Sequence, residues 1–127
     1  MDKIVVTTSD ASAPVAPYSQ AIRVGSLVFV AGQVGTDPKT GKMVTGGIQA
    51  QTRQAIENLK AVLAAAGVGL EHVIKTTVYL RHANHYKTMN EIYREYFRDK
   101  PPARTTVQAI PPLKNILIEL EAVAYVP

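Results

Sequence analysis

The segment NILIELEAVAYV, residues 115–126, constrains the fold more than any other. In a strand, successive side chains alternate between two faces. Ile116, Ile118, Leu120, Ala122 and Ala124 then point one way, and Leu117, Glu119, Glu121, Val123 and Tyr125 the other. Both sides carry large apolar groups, which is the pattern of a strand covered on two faces. The stretches IVV and LVFVAG repeat that two-sided pattern. The last strand also sets two carboxylates on one face. Like charges so placed on a half-buried strand repel unless a cation or hydrogen bonds compensate, and one carboxyl then has a raised pKa.

The remaining pattern supplies the partners for that strand. KIVVTT (3–8) reads as a first strand, and SDASAPVAP (9–17) as a loop of small residues and prolines that delivers Tyr18. QAIRV and LVFVAG flank Gly25-Ser26, a two-residue hairpin signal, and TDPKTGK supplies a further turn. Ile48, Ala55, Ile56, Leu59, Val62 and Leu63 recur at helical spacing over 48–66, with Gly67 where a left-handed cap is wanted. HVIKTTVYL (72–80) is a β-branched strand. A second helix runs from an N-cap at Asn84 through Tyr86, Met89, Tyr93, Tyr96 and Phe97, and Lys100-Pro101-Pro102 stops it. ARTTVQA and the final strand complete an α+β domain whose mixed sheet carries two helices. With 127 residues and no break in composition, residues 1–127 are expected to form one domain. Two helices cover one face of a sheet only. A second copy of the chain is the economical cover for the other, so an obligate oligomer is expected, with any site near the subunit seam.

Composition removes several functions. The 14 Lys and Arg are scattered against 10 Asp and Glu, with no basic run dense enough for a nucleic-acid backbone. Nucleic acid is therefore not an expected partner. The absence of cysteine excludes a thiolate nucleophile, a disulfide framework and cysteine-type zinc sites. The start, MDKIVVTTSD, has too short an apolar run for a signal sequence, and no window approaches the length that spans a bilayer, so the expected location is cytoplasmic, with no membrane partner.

The stretch PPARTTVQ, 101–108, poses the functional question. Two prolines give a stiff entry, and Arg104 then opens a short strand with a permanently charged guanidinium that is costly to bury without a partner. Arg104, Thr106 and Gln108 share one face, which is polar where a core strand would be apolar. Arg104 is a natural candidate to compensate Glu119 and Glu121. That leaves either a structural ion pair at an interface or a ligand site in which the planar fork holds a small carboxylate beside a proton-shuttling carboxyl. Composition does not separate the two.

The residues themselves suggest a family. APYSQA (16–21), FVAGQVGTDPKTGK (29–42), VIKTTVYL (73–80), MNEIYREYF (89–97), PPAR (101–104) and IELEAVA (118–124), in order over nearly the whole chain, resemble the Rid family, also called YjgF/YER057c. The resemblance implies a chorismate-mutase-like α+β fold and a homotrimer whose sheets form a central barrel, with clefts between subunits. It implies cofactor-free hydrolysis of reactive enamines and imines, such as 2-aminoacrylate, 2-iminopropanoate and 2-iminobutanoate, to 2-oxo acids and ammonia. By the same resemblance Arg104 is the carboxylate anchor, and Glu119 is the acid/base near the attacking water. Tyr18 lies beside the substrate, Gly32 where backbone comes close, and Asn90 in support. Ala31 stands where the commonest branch often has serine, and Thr106 where it often has cysteine; both positions belong to the implied substrate pocket. Thr105 is bulkier than the small residue expected after the arginine.

Other assignments have less behind them. A non-catalytic trimeric binder of small carboxylates, a chaperone or regulator, and a ribonuclease or translation inhibitor are the alternatives, since some relatives are described in those terms. His82 and His85 are three apart but have no third ligand nearby in the sequence, so no metal is expected. The tyrosines at 86, 93 and 96 follow helical spacing and read as packing with hydroxyls at the rim. GKMVTGG has no lysine after its last glycine, where a phosphate loop needs one, and reads as a loop leading into the helix.

Overall fold

The two-sided apolar segment near the C-terminus lies at the centre of a six-stranded mixed sheet. A computed structural model describes all 127 residues. The strands are β1 (Lys3–Val6), β2 (Ala21–Val24), β3 (Leu27–Val34), β4 (Val73–Leu80), β5 (Ala103–Gln108) and β6 (Ile118–Tyr125). Helix α1 spans Gly47–Ala65 and helix α2 spans Tyr86–Tyr96. In space the strands run β1-β2-β3-β6-β4-β5, and every neighbouring pair is antiparallel except β4 and β5. A parallel pair needs a long crossover, and α2 supplies it between β4 and β5.

Glycine geometry sets the punctuation. Gly25 turns the β2–β3 hairpin at φ 57°, and Gly67 closes α1 at φ 82°, both in the left-handed region that side chains avoid. Asn84 does not cap α2. A 3-10 turn over Ala83–His85 absorbs it, and the helix starts at Tyr86. Nor do the prolines end that helix, which stops at Tyr96. The first strand ends at Val6, not Thr8, and the last begins at Ile118.

Strand register sorts every side chain by face. One face carries Val28, Val30, Val78, Leu80, Ile118, Leu120, Ala122 and Ala124, all buried. Against it pack Ile56, Leu59, Val62 and Leu63 of α1 and Met89 and Tyr93 of α2, giving one contiguous core. Asn58 is a polar member of that layer. Its amide donates to the carbonyls of Val34 (3.0 Å) and Thr36 (2.8 Å), tying α1 to the end of β3. The opposite face has no helix. Val5, Leu27, Phe29 and Tyr125 lie on it and are exposed. No helix is long and apolar enough to cross a membrane.

Candidate functional site

Arg104 enters the sheet on β5, an edge strand, directly beside Thr76 of β4. Thr76 is fully buried on the covered face, so Arg104 points toward α2. There its guanidinium carbon lies 4.8 Å from the centre of the Tyr93 ring and 5.7 Å from that of Tyr86. Nη2 donates to the Tyr86 hydroxyl at 3.2 Å. Tyr93 is itself fixed, its hydroxyl sharing a 2.8 Å hydrogen bond with Thr76. Burial pushes the Tyr93 phenol above its ordinary pKa, with Thr76 and Arg104 opposing that rise. Tyr86, Asn90 and Tyr93 are spaced so that one side of α2 meets Arg104. With Phe97, Pro101 and Pro102 they line a cleft of about 410 Å³ that contains no acidic residue.

Thr106 follows on the same face, opposite Val78, and its hydroxyl is buried without a partner. A buried hydroxyl left unpaired has unspent hydrogen-bonding capacity. It lines a neighbouring cavity that shares Tyr86 with the Arg104 cleft. The lysine on β4, Lys75, takes Thr105 instead, donating to its hydroxyl at 2.9 Å.

Glu119 belongs to the other face. It pairs across the ladder with Tyr79 of β4 and Val34 of β3, and Glu121 pairs with Thr77. Within one chain the sheet separates Arg104 from both carboxylates, so any compensation between them has to cross an interface. The ion pairs of the chain are Arg53 with Glu95 and the contact of His72 with Glu71, and neither involves Arg104 or Glu119. What Glu121 does have is Tyr79, whose hydroxyl donates to its Oε1 at 2.7 Å. That bond is the main reason the Tyr79 phenol is harder to ionise than usual. Burial first, and the charge of Glu121 second, raise the pKa of Glu119 above the ordinary carboxylate value. Tyr79, Glu119 and Glu121 line a cavity of about 270 Å³ with Ile110, Pro111 and Pro112, and no basic residue.

The register of β3 slips between Val30 and Gln33, so Ala31 and Gly32 form a bulge. A methyl group on Gly32 would collide with the Glu119 carboxyl, whose Cδ would lie only 2.9 Å away. The close approach at Gly32 is thus to the acid of its own chain. The Ala31 amide donates to the Gln20 carbonyl at 2.9 Å, which joins this bulge to the segment carrying Tyr18. Tyr18 is 52% exposed.

The candidate residues fall into two groups. Asn90, Arg104 and Thr106 share the helix-covered side at the β5 edge; Ala31, Gly32 and Glu119 gather at the β3 bulge on the open side, with Tyr18 on the segment tied to it. Sequence reading treated Tyr86 and Tyr93 as packing, and missed them as the seat of Arg104. Their seven-residue spacing, with Asn90 between, was the available signal. Tyr79 was missed too, because its role depends on cross-strand register. His82 and His85 meet edge to face at 5.4 Å, and no group of three or more metal-ligating side chains gathers. A larger cleft of about 530 Å³, bordered by Lys60, Glu71, Tyr96 and Lys100, contains none of the candidates.

Residues 8–126 match the family model described as Endoribonuclease L-PSP. The chain is similar to a RutC family protein of Pyrococcus horikoshii, with 52% identity over 97% of this chain and 98% of that protein. It is also similar to the human 2-iminobutanoate/2-iminopropanoate deaminase, with 42% identity over 94% of this chain and 88% of the human one. Among solved structures, a putative endoribonuclease of Thermotoga maritima superposes with a TM-score of 0.95 at 41% identity, covering 99% of both chains.

Proposed function

The chain belongs to the Rid (YjgF) family, and on that premise we propose that it hydrolyses small 2-imino acids, and the enamines that tautomerise to them, to 2-oxo acids and ammonia. The substrates would be 2-iminopropanoate, formed from 2-aminoacrylate, and 2-iminobutanoate. The observation that carries this reading is a guanidinium with no carboxylate partner, seated on two tyrosine rings at the rim of an acid-free cleft. One of its nitrogens is engaged by a neutral hydroxyl, and such a fork accepts a planar carboxylate.

The chemistry asks little more than placement. The imine carbon is already electrophilic, so no cofactor enters the proposed steps. Water adds to it, forming a C–O bond while the C=N π pair moves to nitrogen, and a carbinolamine results. The C–N bond then breaks, ammonia leaves with a proton, and the C=O bond closes. Glu119 takes a proton from the water and returns one to nitrogen. Its raised pKa brings its proton affinity closer to that of the groups it must serve.

Arg104 and Glu119 stand on opposite faces of one sheet, so the reading requires them from different copies of the chain. The exposed apolar side chains on the helix-free face favour such an assembly, and the arrangement we propose is a homotrimer with three clefts between neighbours. The test generates 2-iminobutanoate in place with a threonine dehydratase and follows loss of the imine. Acceleration by the wild type and its loss in Arg104→Ala are expected. An unaccelerated reaction, or an Arg104→Ala rate equal to that of the wild type, rejects the proposal.

A further inference from the structure

Arg81, just past β4, also has no acidic partner, and it is placed quite differently from Arg104. Its Nε donates to the Ile116 carbonyl at 2.8 Å, and Nη2 reaches the carbonyls of Leu113 at 3.1 Å and Pro111 at 3.4 Å. Its backbone amide donates to the Leu117 carbonyl at 3.0 Å, and its own carbonyl accepts from the Gln108 side-chain Nε2 at 3.1 Å. From the α1 side, buried Gln51 donates to the Asn115 carbonyl at 2.9 Å and accepts from the Leu117 amide at 2.8 Å. The segment joining β5 to β6 is thus gripped from two elements. It nevertheless leaves Ile110 75% and Leu113 60% exposed. Apolar side chains on a loop so firmly held are presented, not tucked away.

Ile110, Pro111 and Pro112 of that loop form the apolar wall of the cavity that holds Glu119, Glu121 and Tyr79. Arg81 reaches the wall itself through Pro111, and the segment between wall and strand through Leu113 and Ile116. A planar guanidinium satisfies several carbonyls at fixed angles, which a lysine's single ammonium does not.

We propose that Arg81, seconded by Gln51, is a positioning residue that holds the β5–β6 loop as the wall beside Glu119 and so sets the size of substrate side chain accepted. This inference rests on the deaminase reading. The proposed substrates differ only in their alkyl group, and an apolar wall is the part of a site that distinguishes one methylene, a discrimination of about tenfold or more.

The experiment compares the wild type with Arg81→Lys and Arg81→Gln, measuring kcat/KM for 2-iminopropanoate and 2-iminobutanoate and checking fold by circular dichroism. The expected result is a change of at least about threefold in the ratio of the two kcat/KM values in each folded variant. A merely structural role lowers both values alike and leaves their ratio fixed, so an unchanged ratio overturns the proposal. Should Arg81→Gln not fold, Arg81→Lys decides alone. A wild type without activity on either imine overturns the deaminase reading and this inference together; an active wild type with unaltered ratios in the variants overturns this inference only.

Discussion

Around Arg104 the chain supplies two aromatic rings, a neutral hydroxyl and an amide, but no acid; around Glu119 it supplies a second carboxylate, a phenol and an apolar loop, but no base. Each region has the charge the other lacks. A stable protein seldom leaves ionic groups half-buried without a counterpart unless something else provides it. The covered face also completes its own packing with two helices, whereas the open face leaves Val5, Phe29 and Tyr125 in solvent. One chain therefore builds a folded core and two groups of candidate residues on opposite faces, and under the proposed reaction neither group is sufficient alone.

The largest effect is expected at the acid. Glu119→Gln removes the proton carrier and lowers kcat by about 10²- to 10⁴-fold, with KM for 2-iminobutanoate little changed. The same variant also carries a stability signature. Because the folded state raises the Glu119 pKa, the neutral form is the one the fold favours, and stability falls as pH rises through that raised value. Glutamine cannot ionise. Thermal melts of the two proteins are thus expected to agree best near about pH 4 and to diverge in favour of the variant toward about pH 8. Divergence in the other direction would contradict the burial argument.

Arg104→Ala comes next and fails differently. It removes the anchor, so kcat/KM falls by about 10²- to 10³-fold, with much of the loss in KM. If both variants lost kcat alone, the division into anchor and acid would be wrong. Gly32→Ala sharpens the acid side further. Its added methyl must displace the Glu119 carboxyl, so kcat is expected to drop by roughly tenfold or more while binding of a 2-oxo acid, measured by calorimetry, persists. The smallest effect belongs to Tyr86→Phe, which keeps the ring beneath the guanidinium and deletes one hydrogen bond; KM should rise by about threefold.

Much of the fold was legible because it depends on local periodicity. The alternation of Ile118, Leu120, Ala122 and Ala124 against Glu119, Glu121 and Tyr125 is reproduced in the burial of β6, and α1 falls within a residue of the stretch set by its apolar spacing. The α+β mixed sheet with two helices follows from the same signals. Strand order was not legible, since β6 lies between β3 and β4 through contacts distant in sequence. That single fact decides the site. Alternation fixes the side to which Arg104 and Glu119 point on their own strands, but only register shows that Arg104 aligns with Thr76 and Glu119 with Tyr79. The misplaced cap at Asn84 has a similar origin, because a 3-10 turn and an α-helix begin with the same preferences.

The central claim, that anchor and acid come from different copies, is tested most directly by mixing two inactive variants. Arg104→Ala and Glu119→Gln are unfolded together in equal amounts, refolded, and assayed for loss of 2-iminobutanoate. The account predicts recovery of roughly a quarter of wild-type activity, because a site drawing on two copies is intact when each copy retains the residue required of it. A co-refolded mixture no more active than the separately refolded variants would contradict the account.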